Sequence, residues 1–196
     1  MCIAVVTRKG ASLSVEQLRS GWAINNDGGG FAYVKDGKVE IEKGFMKLPD
    51  MEKAYFAAVE KYAETSPFLV HMRIRTSGET DPHNTHPFKI KGGAMIHNGI
   101  LFSPTGELAG KEGRRNSDTR ILATVGHNIL TKDHVTIAKS MLEDIFGYNK
   151  LCFLYDDGDY VILNEDLGDW EKGIWFSNGS CKTSYWGRYS KHSGGS

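Results

Sequence analysis

The chain has 196 residues, 40% of them hydrophobic and 24% charged, which is enough for one globular domain with a full core. Its 24 basic and 24 acidic residues cancel, which argues against a nucleic-acid-binding protein that relies on overall charge. No apolar run approaches the roughly 18 residues that a membrane span requires, so we expect neither nucleic acid nor membrane as a partner.

The chain begins with Met1-Cys2, and the apolar, β-branched run that follows predicts a buried strand over 2–8. A small second residue permits removal of the initiator methionine, which would leave Cys2 with its thiol and a free α-amine on one carbon. An α-amine has a pKa of about 7.7 to 8.0, so it can act as the base for its own side chain. The alternative is a cysteine that stands at this position by accident, and the rest of the chain decides between the two.

The N-terminal half predicts helices joined to strands by clear turn signals. Ser12 or Ser14 can cap the first helix, and Asp36-Gly37 lies between two β-rich runs as hairpin turns do. The predicted elements are a helix over 15–24, a glycine turn over 25–30, strands over 29–34 and 38–46, a helix over 51–64 and a strand over 68–76.

The C-terminal half continues with strands and helices in runs. The predicted elements are a strand over 92–101 interrupted at Asn98-Gly99, a polar loop over 103–116, helices over 117–130 and 132–146, a hairpin over 150–165, a strand over 173–178 and an edge strand over 184–190. Because strands and helices do not alternate strictly, the order favours an α+β fold with largely antiparallel sheets.

Polar residues of the kind that acyl transfer needs stand at several of the predicted strand ends. Such a site requires a nucleophile with a base, donors for a developing oxyanion, and groups that orient the substrate. Cys2 with its own amine supplies the first, and the Asn98 side-chain amide with the Gly99 backbone N–H can supply the second. Arg73 suits a substrate carboxylate and Asp118 an ammonium, a pair that together describes an α-amino acid.

These residues lie in motifs that resemble the class II glutamine amidotransferases, a family of N-terminal-nucleophile (Ntn) hydrolases. The matching segments, in the family's order, are Met1-Cys2-Ile3, residues 26–30, HMRIRT at 71–76, HNTHPF at 83–88, HNGI at 97–100 and SDT at 117–119. The resemblance extends to about residue 165. It implies a four-layer αββα sandwich of the Ntn-hydrolase type, which we expect as a single domain over 1–190 followed by a loose tail or linker scar over 191–196.

The resemblance also implies a reaction and a role for each site residue. Cys2 would attack the side-chain amide of L-glutamine, release ammonia and leave a γ-glutamyl thioester that water cleaves. Asn98 and Gly99 would form the oxyanion hole. Arg73 and Thr76 would hold the substrate carboxylate and Asp118 its α-amino group, and we expect neither a cofactor nor a metal.

The chain departs from the family pattern in two respects. The segment 71–78 reads HMRIRTSG where the family commonly has HTRWATHG, so Ile74 replaces a tryptophan that closes over glutamine and Arg75 replaces a small residue. No synthetase, synthase or transferase domain follows, so we expect the ammonia acceptor on a separate partner chain. The alternatives are a stand-alone hydrolase of another γ-glutamyl amide and a catalytically idle interaction module with this fold.

The cysteines and histidines complete the candidate residues. An odd set of widely spaced cysteines, Cys2, Cys152 and Cys181, indicates reduced thiols and a cytoplasmic protein, and Cys152 in its apolar run is expected in the core. The histidines could instead form a metal set, which we disfavour because it leaves Asn98-Gly99 unexplained; they are His71, His83, His86 and His97.

Overall fold

Two antiparallel β-sheets lie face to face between helices in the part of the chain that the structure, a computed structural model, describes: residues 2–76, 78–101 and 115–182. The strands are β1 (Ile3–Thr7), β2 (Gly29–Lys35), β3 (Lys38–Phe45), β4 (Phe68–Met72), β5 (Phe88–Ile90), β6 (Gly93–Asn98), β7 (Lys150–Tyr155), β8 (Tyr160–Leu163), β9 (Asp169–Glu171) and β10 (Ile174–Phe176). The helices are α1 (Val15–Ile24), α2 (Leu48–Tyr62), α3 (Asp118–Val125), α4 (Lys132–Ile137) and α5 (Lys139–Phe146). The first sheet has the order β3-β2-β4-β1-β10-β9 and the second β5-β6-β7-β8.

Side-chain alternation along the strands divides the apolar core into separate layers. Ile3 and Val5 of β1 pack toward α1 and α2, whereas Ala4 and Val6 pack between the sheets against the second sheet. The other face of the second sheet packs against α3, α4 and the segment before α4, with Met95 and Phe153 among its buried residues. The layer order of the described residues is therefore helix, sheet, sheet, helix.

The predicted α+β class with antiparallel sheets is confirmed, and the layer order is compatible with the predicted sandwich. Ser14 caps α1 in a reciprocal capping box with Gln17. Asp36 and Gly37 join β2 to β3 with positive φ angles of 50° and 73°, as a tight hairpin turn requires. The prediction that Cys152 lies in the core is also confirmed, since this residue is fully buried.

Several predicted elements differ from those observed. The single helix expected over 132–146 is two helices, α4 and α5, because the backbone at Ala138 departs from helical geometry. The strand expected over 68–76 ends at Met72. The short strands β5 and β9 were not predicted, because three residues are too few to show alternation. The predicted edge strand over 184–190 and residues 103–114 of the predicted loop lie outside the described residues.

Candidate active site

The antiparallel pairing of β1 with β4 places the start of one strand beside the end of the other. Ile3 pairs with Met72, so Cys2 and Arg73 become neighbours although 71 positions separate them in the sequence. The second sheet adds the end of β6, and α3 adds its first turn. The described residues that line the resulting cleft are Cys2, Arg73, Thr76, His86, His97, Gly99, Ser117, Asp118 and Thr119. Of the predicted site residues, only Asn98 is not part of this lining.

Cys2 is 8% exposed, and its thiol contacts the backbone of Ile74. Its Sγ donates to the Ile74 carbonyl at 3.2 Å and accepts from the Ile74 N–H at 3.4 Å. Burial raises the pKa of this thiol, against the opposing effects of the Ile74 N–H and the Arg73 charge. No imidazole or carboxylate of the described residues is hydrogen-bonded to Sγ, so forming the thiolate needs a base from outside these contacts.

Two residues that follow β10 hold the start of β1 in place beside Cys2. Asn178 donates its side-chain N–H to the Cys2 carbonyl at 2.7 Å, and the Ser177 hydroxyl accepts from the Ala4 N–H at 2.9 Å. Sequence reasoning did not identify Ser177 or Asn178 as site residues. No local signal could have done so, because these residues approach Cys2 only through the pairing of β10 with β1.

Asn98 and Gly99 occupy the end of β6 with different surroundings. The Asn98 side chain is 1% exposed and donates through Nδ2 to the Ser177 hydroxyl at 2.8 Å. An amide nitrogen carries two hydrogens, so a second donor remains. A Cβ at Gly99 would stand 2.1 Å from the Asn149 side-chain oxygen, so no larger residue fits without displacing Asn149.

The guanidinium of Arg73 is anchored at the cleft by the backbone around it. Arg73 is 3% exposed, and its Nη1 donates to the Glu79 carbonyl at 3.1 Å. Burial lowers the pKa of Arg73. Arg75 is exposed, and its backbone N–H donates to the Asp27 carboxylate at 2.8 Å. Thr76 is also exposed, at the rim of the cleft.

Asp118 is the first residue of α3, and its carboxylate is oriented by backbone donors. One oxygen accepts from the Leu101 N–H at 2.9 Å and the other from the Thr119 N–H at 2.8 Å. Ser117 caps the helix by accepting from the Arg120 N–H at 3.2 Å. The sequence pattern SDT is therefore a helix start that points a carboxylate at the cleft.

A cluster of buried histidines lies behind the cleft. The rings of His71 and His86 stack with centroids 3.8 Å apart, and burial lowers the pKa of His71 to about 3 and that of His86 well below its usual value. His71 donates through Nε2 to the His97 carbonyl at 3.0 Å, whereas His83 is exposed. Within the described ranges, no group of three or more His, Cys, Asp or Glu side chains is placed to hold a metal ion.

No model of a known protein family matches the chain. The chain is similar to proteins named glutamine–fructose-6-phosphate aminotransferase (isomerizing). The relative from Aquifex aeolicus is 34% identical over 104 residues, covering 50% of this chain and 17% of the relative. The relative from Brucella abortus is 26% identical over 152 residues and that from Agrobacterium fabrum 26% over 149 residues, each covering 72% of this chain and 24% of the relative. The chain thus spans about a quarter or less of the relatives' length. The similarity covers part of this chain, and the names of these relatives include glutamine.

Proposed function

We propose that this protein hydrolyses the side-chain amide of L-glutamine, with Cys2 as the nucleophile of a class II, Ntn-type glutamine amidotransferase domain. The observation that carries the proposal is the convergence of Cys2, Arg73, Gly99 and Asp118 on one cleft from distant parts of the sequence. A carboxylate binder and an ammonium binder beside a thiol fit an α-amino acid. The similarity to relatives named for glutamine supports the choice of this amino acid.

The proposed base is the α-amine of Cys2, released by removal of Met1. Burial raises the pKa of the thiol, so little thiolate forms unaided, and an α-amine with a pKa near 7.7 to 8.0 is partly neutral at pH 7. The amine takes the S–H proton as Sγ bonds to the amide carbon. It then returns the proton to the leaving nitrogen as the C–N bond breaks, giving ammonia and a γ-glutamyl thioester. Water cleaves the thioester to glutamate.

The remaining roles in the proposal are assigned to the other predicted site residues. The second Asn98 N–H and the Gly99 N–H stabilise the oxyanion, Arg73 and Thr76 hold the substrate carboxylate, and Asp118 holds the α-ammonium. The cavity between the described residues measures about 10 Å³, room for about one water.

The proposal extends to the setting of the domain. We place the amidotransferase domain over 1–190 and the ammonia acceptor on a separate synthetase or transferase chain, in the cytoplasm. None of the helices among the described residues is long and apolar enough to span a membrane. Affinity purification from the native source tests the partner: a co-purifying synthetase-like protein supports it, and an acceptor activity purified on the same polypeptide would contradict it.

Substitution of Cys2 tests the proposed function directly. The unsubstituted protein should release ammonia and glutamate in equal amounts from L-glutamine. Cys2→Ala should abolish this release yet still bind glutamine in calorimetry, because Arg73 and Asp118 remain. Cys181→Ala, a buried thiol that is not part of the cleft lining, should retain turnover and serves as the matched control. Hydrolysis by Cys2→Ala would overturn the mechanism, and turnover of another γ-glutamyl amide but not of glutamine would favour the alternative hydrolase.

A further inference from the structure

One buried imidazole connects the two sides of the cleft. His97 lies on β6 directly before Asn98 and is 2% exposed. Its Nδ1 is 2.8 Å from the Thr119 hydroxyl and its Nε2 is 2.8 Å from the Asn149 side-chain oxygen. Both ring nitrogens are therefore engaged by side chains from outside β6, one on α3 and one just after α5.

The surrounding hydrogen bonds assign the protons of the His97 ring. The Asn149 side-chain nitrogen donates to the Phe146 carbonyl at 2.7 Å, so its oxygen is the atom that faces His97 and accepts. Nε2 must then carry the ring hydrogen. Burial lowers the pKa of His97, which keeps the ring neutral at pH 7 and leaves Nδ1 as the acceptor of the Thr119 hydroxyl hydrogen.

The Thr119 side connects His97 to Asp118. The Thr119 N–H donates to one Asp118 oxygen at 2.8 Å, and the Thr119 hydroxyl lies 3.3 Å from the same oxygen. A hydroxyl has one hydrogen and serves one acceptor at a time. When His97 takes that hydrogen, the Thr119 hydroxyl does not donate to the Asp118 oxygen, and the Thr119 N–H remains its donor to that carboxylate.

The Asn149 side connects His97 to Gly99. The Asn149 side-chain oxygen occupies the space where a Gly99 Cβ would stand, 2.1 Å from it, and His97 Nε2 is 2.9 Å from the same point. The position of Asn149 therefore limits where the Gly99 backbone can lie. His71 fixes the peptide between His97 and Asn98 by donating to the His97 carbonyl at 3.0 Å.

We propose that His97 is a positioning residue that holds Asp118 through Thr119 and Gly99 through Asn149. The assignment of the two affected steps, capture of the amino group and stabilisation of the oxyanion, rests on the proposed function. His97 itself exchanges no proton with the substrate. Because each connection runs through a different side chain, the two can be broken separately.

Separate kinetic effects of the two connections test this proposal. Thr119→Val removes the hydroxyl at similar volume and should raise KM for glutamine about tenfold with a smaller change in kcat, and Thr119→Ser should restore KM. Asn149→Ala should lower kcat about tenfold with a smaller change in KM. Thr124→Val and Asn128→Ala, exposed positions outside the cleft, are matched controls and should leave both constants unchanged. The proposal would be overturned if Thr119→Val and Asn149→Ala had the same effect on kcat and also the same effect on KM.

A second measurement needs no turnover, so it remains decisive if glutamine is not the substrate. Nitrogen-15 NMR of the histidine rings at pH 7 should show His97 neutral, with hydrogen on Nε2. Asn149→Ala should shift the amide signal of Gly99, whereas Asn128→Ala should not. A cationic ring, hydrogen on Nδ1, or a Gly99 amide unaffected by Asn149→Ala would overturn the proposal. Absence of glutamine hydrolysis by the unsubstituted protein would count only against the proposed function.

Discussion

The Asn98 side chain at the end of β6 is oriented by a hydrogen bond to a distant part of the chain. It points into the space between the sheets, where Nδ2 donates to Ser177, and its Oδ1 has no partner among the described residues. A buried amide held by one of its donors is fixed in orientation before any substrate arrives. Such pre-orientation is what an oxyanion donor requires, because no reorganisation is then needed during the reaction.

Asn98→Ala should therefore affect the chemical step more than binding. If the second Asn98 N–H stabilises the oxyanion, kcat should fall by about 10²- to 10³-fold, equivalent to about 2.7 to 4 kcal/mol of barrier, with a smaller change in KM. Steady-state release of ammonia measures both constants. A decrease of kcat by less than tenfold would contradict the role of Asn98.

Residues in local motifs could be singled out from the sequence, whereas contacts between distant parts of the chain could not. Cys2, Arg73, Gly99 and Asp118 stand in recognisable segments, and the structure brings them to one cleft. Ser177 was not found, because its contact with Asn98 spans 79 positions of sequence. Asn149 was missed for the same reason, since its contact with His97 spans 52 positions.

Among the elements, the hairpin of β2 and β3 approaches the segment before β5 closely at Gly30. A Cβ at Gly30 would stand 2.4 Å from the His86 carbonyl oxygen and 2.7 Å from that of Glu42. Backbone atoms cannot move aside as flexible side chains do. The glycine at this position therefore allows the segment before β5 to pack against β2.

Gly30→Ala should destabilise the protein by about 3 kcal/mol or more, because the added methyl group clashes with two backbone carbonyls. Gly37→Ala is the matched control. Its φ is +73° and nothing lies within 4 Å of the added Cβ, so only the backbone conformation costs energy, about 1 kcal/mol. Urea unfolding gives both values. Equal destabilisation by the two substitutions would show that the packing at Gly30 is not as tight as described.

Element prediction succeeded where the signal is local. Asp36-Gly37 determines its own turn, and Ser14 with Gln17 determines the start of α1. The strands β5 and β9 depend instead on their neighbours in the sheets, since each has only three residues. The break at Ala138 between α4 and α5 likewise has no glycine or proline to announce it.

On the scale of the whole molecule, buried neutral histidines link folding to pH. Burial lowers the pKa values of His71, His86 and His97 below the usual value near 6.5. The unfolded chain therefore binds more protons than the folded one as pH falls below about 6.5, and stability is lost in that direction. Paired carboxylates such as Asp156 have lowered pKa values instead. Their contribution to the free energy of unfolding is therefore lost at more acidic pH, below about 4.

The free energy of unfolding should decrease between pH 6.5 and pH 5 by up to about 1.4 kcal/mol per pH unit for each histidine that stays neutral in the fold. Urea unfolding at a series of pH values measures the slope. His86→Asn should reduce the slope, while His83→Asn, at an exposed position, should not. A stability that is constant over this range would contradict the burial of neutral histidines.

Covalent labelling followed by mass spectrometry tests most directly whether Cys2 acts as an N-terminal nucleophile toward glutamine. An electrophilic glutamine analogue should add once per chain, at Cys2 of molecules that lack Met1, and excess L-glutamine should block the addition. Labelling at Cys152 or Cys181 in place of Cys2 would contradict the account. So would full labelling and turnover by molecules that retain Met1, because their Cys2 has no free α-amine.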